Sequence, residues 1–224
     1  MDRRTFLGSA ALAASLLPWS GIASAASPVR GRLLPVPIAK GDTIGLVSPS
    51  SATDDSFNLQ LAREAMEAFG FKVKTGAHYD ARRGHLAGTD AERAGHLNAM
   101  FADRAVKAII CTRGGSGAAR LLPLLDYDVI RRNPKVLLGY SDITALHNAI
   151  HAQTGLVTFH GPNGSGSWNR FNADQFRRVF FERELIQYQN VTDAGDELVQ
   201  RRNRTVTITA RVSASVCWPV SGCG

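Results

Sequence analysis

"PKVLLGYSDITALHNAIH", Pro134 to His151, joins a strand-like pattern directly to a helical one. A short apolar run, Val136-Leu137-Leu138, stops at Gly139. Ser141 follows, and Ile143, Leu146 and Ile150 then recur at helical spacing. A buried strand therefore runs straight into a helix through a corner that contains a serine. Two readings of Ser141 fit the pattern. As an N-cap, its hydroxyl accepts a hydrogen bond from the first helical turn. As a nucleophile, it stands beside unsatisfied helix N–H groups able to stabilise an oxyanion, and Gly139 gives the backbone room to turn.

The same alternation extends on both sides. "TIGLVSPS" (Thr43–Ser50) reads as a strand with a Ser/Pro turn, and Leu59, Ala62, Met66 and Phe69 stripe a helix that Gly70 stops. "FKVKTG" alternates like a strand, and "DARRGHLAGTD" is a polar loop whose Asp90 is expected to cap the next helix, striped by Ala94, Leu97 and Phe101. "VKAIICT" (Val106–Thr112) is the continuous apolar run of a strand buried on both faces, and "LVTFHGP" (Leu156–Pro162) is one more strand and turn. Strands alternating with helices predict an α/β fold with a doubly wound, mostly parallel sheet. Ligands of such sheets bind outside the carboxyl ends of the strands, where the loops "RGGSG" and "GYSD" should converge. "GYSDI" is not the G-x-S-x-G elbow of α/β-hydrolases, and "RGGSG" is not a dinucleotide fingerprint. A nucleotide-binding domain is therefore the runner-up reading.

The first 25 residues read as a targeting segment. Arg3-Arg4 followed by Thr5-Phe6-Leu7 resembles a twin-arginine export signal, with a weakly apolar stretch and Ala23-Ser24-Ala25 as cleavage site. The expected location is periplasmic or secreted, with no stable membrane span after cleavage. The whole chain carries a formal charge of +7; without Asp2, Arg3 and Arg4 it keeps 24 basic and 18 acidic residues, a net +6. That excess favours anionic surroundings. The basic residues are scattered and no basic helix with interleaved aromatics occurs, so nucleic acid is not an expected partner. Cys111, Cys217 and Cys223 have no metal-type spacing with histidine, and Cys111 reads as a small buried hydrophobe. Neither metal nor cofactor is expected.

The set "GDTIGLVSPSS", "AIICTRGGSGAARLLPLLDYDVI", "NPKVLLGYSDITALHNAI" and "TFHGP" closely resembles the LD-carboxypeptidases, serine peptidases also called murein tetrapeptide carboxypeptidases. The resemblance implies the flavodoxin- or Rossmann-like N-terminal domain of that family. It implies hydrolysis of the amide that joins an L-centre of the peptidoglycan stem to a terminal D-alanine, by a Ser–His–Glu triad. Carried over, Ser141 is the nucleophile and the backbone amides of Gly115 and Asp142 form the oxyanion hole. Arg113, Thr112 and Ser116 lie beside them as expected substrate contacts. The substrate is a peptidoglycan-derived peptide, with cleavage of a peptide-like antibiotic as an alternative within the family. A homodimer stays open.

The resemblance places the triad histidine and glutamate in a C-terminal domain that begins near "NRTVTIT" (Asn203–Thr209). After it the text becomes "ARVSASVCWPVSGCG", which shows neither helical nor strand period. The expected organisation is a signal peptide over 1–25, the α/β nucleophile domain over 26–162, a linker and the start of a second domain over 163–209, and an aberrant tail over 210–224 left by truncation or frameshift. No base or orienting acid is assigned within the chain, and D-alanine release by it as written is expected to be poor or absent. A non-catalytic remnant that binds wall fragments is the alternative outside the enzyme class.

Overall fold

The computed structural model describes residues 31–184 and the backbone of 215–217. Five strands and five helices alternate through the main body. They are β1 (Thr43–Val47), α1 (Ser56–Ala68), β2 (Lys72–Thr75), α2 (Asp90–Ala102) and β3 (Val106–Cys111). There follow α3 (Tyr127–Arg132), β4 (Val136–Gly139), α4 (Thr144–Thr154), β5 (Thr158–His160) and α5 (Arg170–Phe180). Two 3-10 segments, Ala118–Leu124 and Ser141–Ile143, precede α3 and α4. A short β6 (Ser215–Cys217) completes a six-stranded sheet of order β2-β1-β3-β4-β5-β6, and every pairing is parallel.

Strand periodicity explains the two cores. Along β3, Ala108 and Ile110 face one side while Ile109 and Cys111 face the other; β4 sends Val136 and Leu138 to the first side and Leu137 to the second. The first side is covered by Met66 of α1 and Phe69 just past its end, with Phe176 and Phe180 from α5, the second by Leu97 and Phe101 of α2, Ile130 of α3, and Leu146 and Ile150 of α4. Both faces of the sheet are thus buried under helices, as the apolar runs of β3 and β4 require. Gly45 makes room for this on β1, since a Cβ there would lie 2.7 Å from the Met100 sulfur.

The chain steps from β1 outward to β2 and then returns to the opposite side of β1 as β3. The direction of winding therefore reverses between β1 and β3. Their carboxyl ends diverge there into the crevice where open α/β sheets bind ligands.

Several expectations are corrected. Thr89, not Asp90, caps α2: its hydroxyl accepts from the Glu92 N–H while the Glu92 carboxylate accepts from the Thr89 N–H, a capping box. Asp90 sits one residue later and its carboxylate holds Arg93 and Arg120 instead. The segment after Pro162 is not a linker up to Phe180, because α5 packs Phe176 and Phe180 into the core with Phe69 and Phe159. Its alternation is helical and was hidden by a polar sequence between the aromatics. Ser215–Cys217 pairs with β5 although the tail reads as aperiodic; three residues are too few to show a period. His96, although it lies near the polar loop, has its Nε2 buried against Gly76, and burial pushes its pKa down. Cys111 is buried as expected, and burial pushes its thiol pKa up.

Candidate active site

At the corner after β4, Ser141 is neither of the helix N-caps, which are Tyr140 and Ile143. It begins a 3-10 turn that has no side-chain cap, and α4 starts only at Thr144, likewise uncapped by a side chain. Ser141 itself adopts φ 63°, the left-handed region that L-residues avoid. Its side chain thereby stands on a strained strand-to-helix bend and not along a helix start.

The glycine-rich loop after β3 comes up against this corner. A Cβ on Gly114 would lie 2.9 Å from Ser141 Cβ, so only glycine lets the two loops meet. Gly115 has φ 117°, and a Cβ there would fall 2.1 Å from Ser51 Oγ. Ser51 in turn holds the loop: its N–H donates to Gly114 O (3.3 Å) and its hydroxyl accepts from the Ser116 N–H (3.1 Å). Arg93, whose side chain is fully buried, donates to Pro49 O (2.6 Å) and Gly117 O (3.1 Å), lacing the β1 loop to the β3 loop from below. The Asp142 carboxylate accepts from Ser50 Oγ and from the Ala118 N–H (2.8 Å), tying both loops to the corner.

These loops surround a cleft of about 340 Å³. Ser141, Gly114, Gly115, Arg113, Asp54 and Asn163 are among its lining residues. Arg113 donates from Nη1 to Asp54 (2.8 Å) and to Ala52 O (3.0 Å), so the cleft cation arrives already paired with a carboxylate. Asp54 also lies 3.8 Å from Arg82. The described lining has one formal positive and one formal negative charge, and no histidine.

The predicted residues do not all converge. Ser141, Gly115 and Arg113 line the cleft. Asp142 is adjacent, with its side chain directed into the loop lacing. Thr112 is not placed to touch a ligand: it is fully buried, its hydroxyl donates to Val47 O (2.9 Å) and accepts from Ser48 Oγ (3.2 Å). Ser116 is exposed but lies outside the cleft lining, its N–H turned to Ser51. Thr112, directly after β3, points opposite to Arg113, as successive strand residues do; Ser116 lies farther along the glycine-rich loop. Sequence reasoning missed Asn163 and Asp54. Asn163 directly follows "TFHGP" at a strand's carboxyl end, which was the available signal; Asp54 had none.

Two histidines lie behind the corner. His147 on α4 is buried, and its Nε2 bonds Gly139 O at 2.9 Å. A carbonyl only accepts, so Nε2 carries the proton in the neutral ring. Burial pushes the His147 pKa down to about 4. The His160 ring lies 6.2 Å from His147 and 6.3 Å from Tyr140, and burial lowers its pKa also.

The LD-carboxypeptidase N-terminal domain matches residues 44–161, which run from β1 through β5. Over 128 residues the chain is 47% identical to a probable murein peptide carboxypeptidase of Bacillus subtilis (strain 168), covering 57% of this chain and 40% of that protein. Over 132 residues it is 41% identical to the microcin C7 self-immunity protein MccF of Escherichia coli, covering 58% and 38%. Among solved structures, an MccF-like protein from Bacillus anthracis superposes with a TM-score of 0.63 at 38% identity, covering 66% of this chain and 47% of that one. The chain spans less than two thirds of the length of each of these relatives.

Proposed function

The chain belongs to the LD-carboxypeptidase family, and from that premise we propose that it carries the nucleophile of a serine carboxypeptidase that releases terminal D-alanine from a murein tetrapeptide. One observation carries the reading. Ser141 stands at φ 63° on a bend that borders the cleft, with Gly114 packed closely against it. Strain of this kind persists where surrounding structure over-determines it, and it clusters at active sites.

In the proposed reaction a general base takes the proton of the Ser141 hydroxyl as its oxygen attacks the carbonyl of the L,D-amide. The N–H groups of Gly115 and Asp142 hold the oxyanion that forms. The base returns its proton to the D-alanine nitrogen as the C–N bond breaks, and water then hydrolyses the acyl-enzyme by the reverse sequence. His147 is not that base, since its Nε2–H is committed to Gly139 O and its Nδ1 is buried. The base and its orienting acid are proposed to be a histidine and a glutamate of the family's C-terminal domain, as the resemblance implies, because the six histidines of the sequence all lie among the described residues and none lines the cleft. Arg113 is proposed to offer its remaining N–H groups to a substrate carboxylate, in competition with Asp54.

The test is D-alanine release from a murein tetrapeptide by the chain joined to the family's C-terminal domain, and by Ser141→Ala in that same protein. Release by the first and not by a folded second supports the reading; equal release by both overturns it. The likeness to the self-immunity protein favours one competing substrate, a peptide–nucleotide antibiotic, to be assayed in parallel.

A further inference from the structure

We propose that His147 and Asn163 grip opposite edges of the Gly139–Tyr140 peptide group and so hold Ser141 in its left-handed conformation, acting as positioning residues. The two bonds fall on one peptide plane. Its carbonyl, Gly139 O, accepts from His147 Nε2 at 2.9 Å, and its N–H, on Tyr140, donates to Asn163 Oδ1 at 3.1 Å. A plane held at both edges cannot rotate without leaving a buried donor or acceptor unpaired.

Each side of the grip is itself fixed. His147 is 2% exposed on the buried face of α4, and Asn163 is 4% exposed. The turn holding Asn163 is fastened to the end of β3 by the Gly164 N–H on Cys111 O (2.8 Å) and closed by the Gly166 N–H on Asn163 O (2.9 Å). Gly139 O also accepts from the Gly161 N–H (3.1 Å), which adds β5 to the same point. On the far side of Ser141, the Asp142 carboxylate is held by Ser50 and the Ala118 N–H. Ser141 is therefore suspended between two fixed points one residue away on either side, and its φ of 63° is the conformation that joins them. The grip needs no charge on His147: Nδ1 is buried and without a partner among the described residues, as suits an unprotonated nitrogen.

The kinetic arm of the test, run on the chain joined to the family's C-terminal domain, rests on the proposed nucleophilic role of Ser141; the structural arm does not. His147→Phe keeps a ring and removes the donor, whereas His147→Gln keeps an N–H. Asn163→Leu removes the acceptor and Asn163→Asp keeps it. The φ of Ser141 is read in each full-chain variant by crystallography or by backbone NMR couplings of residues 140–142. The expected result is a positive φ in the protein and in the Gln and Asp variants, and its loss in the Phe and Leu variants. D-alanine release should fall on the order of 100-fold in kcat in His147→Phe, with KM changed by less than about threefold, because a shift near 1 Å suffices for that loss. Gln should recover most of it. Retention of the positive φ in both His147→Phe and Asn163→Leu overturns the proposal, as does an unchanged kcat in an active enzyme. If a Phe or Leu variant does not fold, the Gln and Asp variants decide, since a positive φ lost with donor and acceptor kept has the same overturning force. If that completed enzyme with His147 and Asn163 unaltered releases no D-alanine, the carboxypeptidase reading fails and the φ of the variants alone decides the grip.

Discussion

A serine at φ 63° carries a backbone cost on the order of 1–3 kcal/mol that glycine would not. Ser141→Gly should therefore stabilise the fold by about 1 kcal/mol in urea denaturation while abolishing D-alanine release. A variant no more stable than its parent would show that the bend is not strained. Gly115→Ala should act in the opposite sense, because its Cβ would meet Ser51 Oγ at 2.1 Å and the loop bearing the proposed oxyanion donor would have to move. His147 gives a pH dependence with a defined sign. Its folded pKa of about 4 lies below the unfolded value of 6.5, so the unfolded chain takes up a proton first as the pH falls. Stability is then full above pH 6.5 and declines on acidification to about pH 4, by about 3 kcal/mol from this residue. Equilibrium denaturation at stepped pH, compared with His147→Gln, should show this slope in the parent alone.

At the scale of elements, the site depends on the β1 loop as much as on the corner. Pro49, Ser50 and Ser51 contact Arg93, Asp142 and the glycine-rich loop in turn. Arg93 on α2 is the buried link, so Arg93→Ala should cost about 3 kcal/mol by stranding two loop carbonyls. Its effect should reach activity, measured as kcat, although Arg93 is not among the cleft-lining residues. Thr89→Ala, which opens the capping box on the same helix, should cost about 1 kcal/mol and leave activity unchanged. The pair separates loop lacing from helix stability.

For the whole molecule, the parallel order β2-β1-β3-β4-β5 places the reversal of winding at the cleft, which is why loops distant in sequence share one site. No helix among the described residues is long and apolar enough to cross a membrane. We propose twin-arginine export from Arg3-Arg4. Replacing both with lysine should retain the precursor in the cytoplasm, as fractionation would show; unchanged periplasmic delivery would exclude this route.

The alternation of strand and helix, the buried runs of β3 and β4, and the positions of Ser141 and Gly115 at strand ends were legible in the sequence. They depend on local periodicity and on residues whose backbone freedom is distinctive. The left-handed φ of Ser141, the diversion of Thr112 into the core, the pairing of Arg113 with Asp54, and the grip of His147 and Asn163 on one peptide were decided only by tertiary structure. Each depends on which segments meet across the sheet. The β3 and β5 turns and helix α4 have no local pattern that announces their contact with the corner, because that contact is set by strand order and register.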